Sequence, residues 1–236
     1  MKLFTLLILA LTATSVFAGD IQLPQPNRAG GMPLMEALNN RRSAREFSPE
    51  NISQQKLSDL LWAMWGISRE DGRRTAPTAR NDMAIELYVM KNTGIFRYNA
   101  QENILTLVLE GDHRDNAGTH GWVRGAPLNI FIVHNLNKMR VAEEIRVGVA
   151  NMDAGFVAQN AYLFCASAGL NTVVRMMIPR DEIRALMGWD ENMYPSLAMT
   201  VGYPVGGPQV AAPIVEKAAP TVEETPPAEP SRRRGR

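Results

Sequence analysis

Apolar residues along this chain recur with two periods, and each predicts a type of element. Leu57, Leu60, Leu61 and Met64 stand at i, i+3, i+4 and i+7, the spacing of one helical face. They predict a helix over residues 53–64, with Ser53 as N-cap and Gly66 as the stop. Trp62 and Trp65 follow the same turn and are expected to pack nearby. Residues 33–40 predict a shorter helix carrying Leu34, Ala37 and Leu38 on one face. Residues 84–90 alternate instead, with Ile85, Leu87 and Val89 on one side, as in a strand. Residues 95–98 and 104–109 flank the loop 99–103 and predict a hairpin. Residues 127–133 are almost continuously apolar, which fits a central strand buried on both faces.

In the second half the helical pattern dominates. Residues 152–168 carry Ala, Phe, Val and Leu around most of the circumference, which predicts a deeply buried helix closed by Gly169. A strand is expected over 171–178, a short helix opened by Pro179 and running to about Met187, and a last strand over 196–201 before Gly202-Tyr203-Pro204. This order gives an α+β fold, with helices packed on a mixed or antiparallel central sheet.

Both ends lie outside that pattern. Residues 1–18 hold Lys2, an apolar run and Val16-Phe17-Ala18, the layout of a Sec-type signal peptide with cleavage before Gly19. The apolar run is shorter than the roughly 20 residues a spanning helix needs. No stable membrane insertion is expected after its removal, and the protein is expected to be exported, to a periplasm or the exterior. Residues 207–236 are dominated by Pro, Ala and Glu without an aromatic residue, and predict a disordered tail. One folded domain is left, over 19–206.

Composition narrows the function classes. The chain has 236 residues, 25 Lys+Arg against 24 Asp+Glu, 45% apolar residues and one Cys. The balanced charge argues against nucleic acid as a partner. The single Cys165 excludes an intramolecular disulfide framework, and its place in an apolar helix reads as a packed core thiol. His113, His120 and His134 are too scattered for a metal site. There is no P-loop, GxGxxG, HExxH or GxSxG. The HRD at 113–115 stands without any other kinase motif and reads as a solvated polar loop.

One cluster stands apart. Arg41-Arg42-Ser43-Ala44-Arg45-Glu46-Phe47 places three arginines within five residues, between a helix and an extended segment. Guanidinium groups bind phosphate bidentately and Ser43 adds a hydroxyl. By residue type alone this is equally a small anion site or a solvated basic turn.

That segment resembles the RRSxRxF motif of the nitroreductase family of FMN-dependent oxidoreductases. Thr75-Ala76-Pro77-Thr78-Ala79-Arg80-Asn81 resembles the family's flavin-contacting loop. Ala154-Gly155 through Gln159-Asn160 to Gly169-Leu170 resembles its long central helix, and Val201-Gly202-Tyr203-Pro204 its closing strand. The hairpin with Tyr98 and the stretch from Trp62 to Gly66 look more like the branch that includes the thiazoline/oxazoline dehydrogenases. The resemblance implies a homodimer with two FMN molecules at the subunit interface. It implies that Arg41, Arg42, Ser43 and Arg45 hold the phosphate, the ribityl chain and the pyrimidine edge. It further implies that Pro77, Thr78 and Ala79 reach the partner's flavin, with Asn81 close behind, and that backbone amides near Arg175 and Met176 face flavin N5.

The implied activity is two-step hydride transfer through N5, to or from a small organic molecule of the nitroaromatic, quinone or enone class, with no dedicated catalytic side chain. Two departures bear on it. Many relatives end in a Lys/Arg pair that reaches the phosphate, whereas here Val205-Gly206-Gly207 follows Pro204, leaving Arg41 and Arg45 for that task. The family's usual donor, NAD(P)H, is scarce outside the cytoplasm, so an exported member leaves the donor open. A nitroreductase-like fold that binds flavin or another ligand without turnover is the alternative.

Overall fold

The computed structural model describes residues 19–207; the expected leader over 1–18 and nearly all of the expected tail lie outside them. Seven strands form one sheet: β1 (Ile21–Gln22), β2 (Ile85–Lys91), β3 (Gly94–Asn99), β4 (Ile104–Glu110), β5 (Leu128–Asn135), β6 (Asn171–Arg175) and β7 (Met193–Gly202). Their spatial order is β1-β4-β3-β2-β5-β7-β6, and every neighbouring pair is antiparallel. The sheet is therefore antiparallel rather than mixed. β5 and β6 run parallel to each other, as their helical crossover dictates, but β7 inserts between them.

Helices cover both faces. Ile85, Leu87, Val89, Ile130, Ile132 and Met199 meet α2 (Gln54–Trp65) and α4 (Glu143–Ala168) on one side. Tyr88, Met90, Phe131, Val133 and Ala198 meet α3 (Gly121–Gly125), α5 (Arg180–Met187) and the turn at Arg114–Ala117 on the other. The two-residue period of β2 and β5 thus feeds two cores at once. The polar turn expected around His113 is held by Arg114, whose guanidinium clamps the Asp112 carboxylate at 2.6 and 2.8 Å.

α2 follows its pattern closely: Leu57, Leu60, Leu61 and Met64 are buried, and Ser53 Oγ accepts the Lys56 N–H at 3.3 Å. Its stop has a different cause from the one expected. Gly66 is extended rather than left-handed, and a Cβ there would lie 2.2 Å from Trp62 Cδ1. Gly169 does cap α4 in the left-handed conformation, at φ 68°.

α4 is longer and less buried than its composition predicts. It begins at Glu143, nine residues before the expected start, and at 26 residues spans about 39 Å. Ile145, Met152 and Phe156 remain exposed, at 54%, 52% and 42%. α1 (Leu34–Asn40) packs on α4 yet buries only Ala37, leaving Leu34, Met35 and Leu38 exposed. Both helices thus leave large apolar side chains exposed.

Pro179 is the residue before α5 rather than its first. β7 starts three residues earlier than expected and contains a bulge: Ile132 faces Leu197 and Val133 faces Pro195, leaving Ser196 out of register. That displacement brings Ser196 Oγ to 2.7 Å from Nδ1 of the buried His134. Cys165 is buried as expected, and burial pushes its thiol up to about 12.

Candidate functional site

The arginine segment leaves α1 and runs extended along the outer edge of the sheet. Ala44 N–H donates to the Thr172 carbonyl at 3.0 Å, Ser48 N–H to the Tyr203 carbonyl at 2.8 Å, and Asn171 Nδ2 to the Glu46 carbonyl at 2.8 Å. One edge carbonyl of β6, that of Thr172, is thereby partnered, and these bonds fix the path of the segment.

Tyr162 of α4 holds the segment from beneath. Its hydroxyl lies 2.6 Å from Ser43 Oγ and accepts the Val174 N–H of β6 at 3.0 Å. The Arg41 guanidinium stacks over the same ring, 5.2 Å from its centroid. Among the described residues neither Arg41 nor Arg45 forms an ion pair. A cleft of ≈ 270 Å³ opens between Arg42, Arg45, Glu46, Asn171, Pro204 and Val205. Two guanidinium groups and one carboxylate line it.

The second expected segment is anchored elsewhere on α4. Asn160 Nδ2 donates to the carbonyls of Ala63 and Thr75. Ala79 N–H then reaches both oxygens of Asp153 at 3.1 Å. Asp153 is 2% exposed, and burial first, then the nearby Asp82 charge, raises its pKa against the Ala79 bond. Arg80, Asn81 and Met83 have φ between 51° and 55°, a region non-glycine residues seldom occupy. Two buried polar atoms in this neighbourhood, Thr78 Oγ1 and Asn151 Oδ1, have no partner among the described residues. Pro77 and Asn81 are exposed. Asp153 and Tyr162 are nine residues apart, about 13 Å along the helix axis. Ser43 and Ala79 are thus held by residues at different heights on α4.

The third expected position splits. Met176 and Met177 are exposed at the exit of β6, at 67% and 79%. The Arg175 side chain turns to the opposite face of the sheet. There it donates to Thr200 Oγ1 at 3.1 Å, the Ala117 carbonyl at 2.9 Å and Asn129 Oδ1 at 3.1 Å. No carboxylate is among these partners, and burial lowers its pKa to about 10. Only its backbone is left for a ligand at the edge.

Sequence reasoning passed over Tyr162 and Asp153, the residues that anchor both segments. Asp153 did carry a signal, as the one charged residue within 152–168. Tyr162 carried none, since an aromatic residue in an apolar helix reads as core.

The sequence profile of the nitroreductase family matches residues 38–203. An inferred nitroreductase of Methanocaldococcus jannaschii is 29% identical over 194 residues, which are 78% of this chain and 96% of that one. The solved structure of an inferred nitroreductase from Ralstonia eutropha JMP134 superposes with a TM-score of 0.76 at 37% identity, over 81% of this chain and 92% of that one. An inferred NAD(P)H:FMN oxidoreductase from Staphylococcus epidermidis shares the fold at a TM-score of 0.56 and 13% identity, over 79% and 94% of the two chains.

Proposed function

The chain belongs to the nitroreductase family, and we propose that it is an exported, homodimeric, FMN-dependent oxidoreductase acting on a small organic molecule. The observation that carries this reading is the arginine segment. It presents Arg41 and Arg45 without competing ion pairs, beside a hydroxyl and an anion-sized cleft. This donor set suits a flavin mononucleotide phosphate and its polar chain. When bound, FMN supplies hydride transfer at N5.

The protein's share is binding and orientation. Arg41, Arg42, Ser43 and Arg45 hold the anionic and polar groups. The edge of β6 at Arg175 and Met176 offers backbone groups, and Met176 and Met177 offer a soft apolar wall for an organic substrate. A cation beside the pyrimidine end favours an anionic reduced ring. Pro77, Thr78, Ala79 and Asn81 serve the partner subunit's site, as the family resemblance implies. The exposed apolar side chains of α4 support a second copy as the partner that brings them there.

Export rests on the leader-like residues 1–18. Among the described residues no helix is long and apolar enough to cross a membrane. Outside the cytoplasm the donor need not be NAD(P)H. The enzyme then either reduces a nitroaromatic, quinone or enone with electrons from another donor, or oxidises an organic substrate and passes electrons on.

Anaerobic titration of FMN-loaded protein with NADH, NADPH and dithionite, followed by an acceptor panel, tests the reading. Bleaching of the flavin absorption and its return with an acceptor is expected. Protein that takes up no FMN would refute the flavin assignment. Bleaching by dithionite alone with no reoxidation would favour ligand binding without turnover.

A further inference from the structure

Tyr162 is 7% exposed, so its hydroxyl hydrogen requires an acceptor within the protein. Val174 N–H can only donate, which makes the phenolic oxygen the acceptor of that 3.0 Å bond. Among the described residues the one remaining group in reach is Ser43 Oγ, at 2.6 Å. A Ser43 to Tyr162 donation would leave the buried phenolic hydrogen without a partner. The hydrogen bond therefore runs from Tyr162 to Ser43, and Ser43 must turn its own hydrogen elsewhere. Ser43 is exposed, and among the described residues its hydroxyl has no second partner.

We infer that Tyr162 is a positioning residue that fixes Ser43 as a hydrogen-bond donor pointing out of the protein, toward an oxygen of the bound cofactor. Resting on the flavin reading above, this assigns the Ser43 hydrogen to an acceptor atom of FMN. The same hydroxyl ties the arginine segment to β6 through Val174, and the same ring supports Arg41. One residue of α4 thus sets the direction of a donor, the height of a guanidinium and the position of the strand edge. None of these contacts is local: Ser43 and Tyr162 are 119 positions apart.

Tyr162→Phe removes the hydroxyl, and with it the bonds to Ser43 and Val174, and keeps the ring under Arg41. FMN titration of the apoprotein is expected to show affinity about tenfold weaker in both Tyr162→Phe and Ser43→Ala. The double variant is expected to bind FMN less than tenfold more weakly than Ser43→Ala, because the part of the tyrosine's effect that runs through the serine is already lost. In the ligand-free protein, the Val174 amide should exchange with solvent at least about tenfold faster in Tyr162→Phe than in wild type. Wild-type protein that binds no FMN would overturn the flavin reading itself and with it the donor role of Ser43. Wild type that binds FMN alongside a Tyr162→Phe variant within twofold of it would overturn the relay alone. Effects that multiply in the double variant, or a Val174 amide exchanging at the wild-type rate in Tyr162→Phe, would do the same.

Discussion

Ala79 gives its one backbone hydrogen to both oxygens of the Asp153 carboxylate, 74 positions away and buried in α4. This bond holds a loop whose next residues, Arg80 and Asn81, sit at positive φ. Asp153→Ala leaves the Ala79 N–H without its acceptor and is expected to cost about 1–3 kcal/mol, measured by denaturant unfolding. Asp153→Asn keeps an acceptor oxygen and removes the charge. Because the folded carboxyl titrates above an ordinary aspartate, the fold keeps a proton that the unfolded chain has already released. Stability contributed at this site therefore declines as pH rises from the ordinary aspartate range to the raised value. The asparagine variant should lack that decline, and an unchanged pH slope would contradict it.

How far the sequence foretold this arrangement depends on the range of each interaction. α2 was legible because four apolar positions at helical spacing face one core. The strands of the hairpin and β5 were legible from local alternation and continuous burial. The first nine residues of α4 were not: Glu143, Glu144 and Gly148 interrupt any apolar face, and Ile145 points outward. The antiparallel sheet was half legible, since β5 and β6 do run parallel and only the insertion of β7 separates them. In the site, the arginine run could be read as chemistry because three cations within five residues are unusual. Tyr162 and Asp153 could not, because what makes them functional is a partner far away in sequence.

His134 provides a second pH dependence, of opposite sign. It is fully buried, its Nδ1 meets Ser196 Oγ at 2.7 Å, and burial lowers its pKa to about 4. Between the ordinary histidine value of about 6.5 and this lowered one, the unfolded chain binds a proton that the fold does not. Stability is full above about pH 6.5 and is lost as pH falls toward 4, by about 3 kcal/mol over the interval. Unfolding free energies across that interval should fall steeply for wild type and less steeply for His134→Gln. Parallel pH profiles for the two proteins would contradict the assignment.

Gly66→Ala tests the steric reading of the α2 terminus. The added methyl would meet Trp62 Cδ1 at 2.2 Å, Cγ at 2.6 Å and the Trp62 carbonyl oxygen at 2.7 Å. That carbonyl already accepts Gly66 N–H and Thr75 Oγ1, so moving it breaks the turn that leads into the Thr75–Ala79 loop. Destabilisation of about 3 kcal/mol is expected by denaturant unfolding. A cap chosen only for backbone freedom would not predict this, because the residue is extended and alanine adopts that conformation without strain.

The apolar surface of α4 gives the prediction that joins assembly to cofactor. Ile145, Val149, Met152 and Phe156 recur at intervals of four, three and four residues, which places them along one stripe of the helix. Ile145, Met152 and Phe156 are exposed. If a second copy covers this stripe, Met152→Glu with Phe156→Glu places two carboxylates in the interface and separates the subunits. Glutamate is a good helix former, and exposed substitutions change the stability of a single chain by only about 0.5 kcal/mol. The expected result is a folded monomer by sedimentation equilibrium, with an unchanged far-ultraviolet dichroism spectrum. FMN affinity should fall at least about tenfold even though neither residue is among the expected ligands, because Pro77–Ala79 of the partner no longer reaches the flavin. A double variant that stays dimeric would remove the stripe from the interface. A monomer that keeps wild-type FMN affinity would show instead that Arg41, Arg42, Ser43 and Arg45 suffice without the partner's loop.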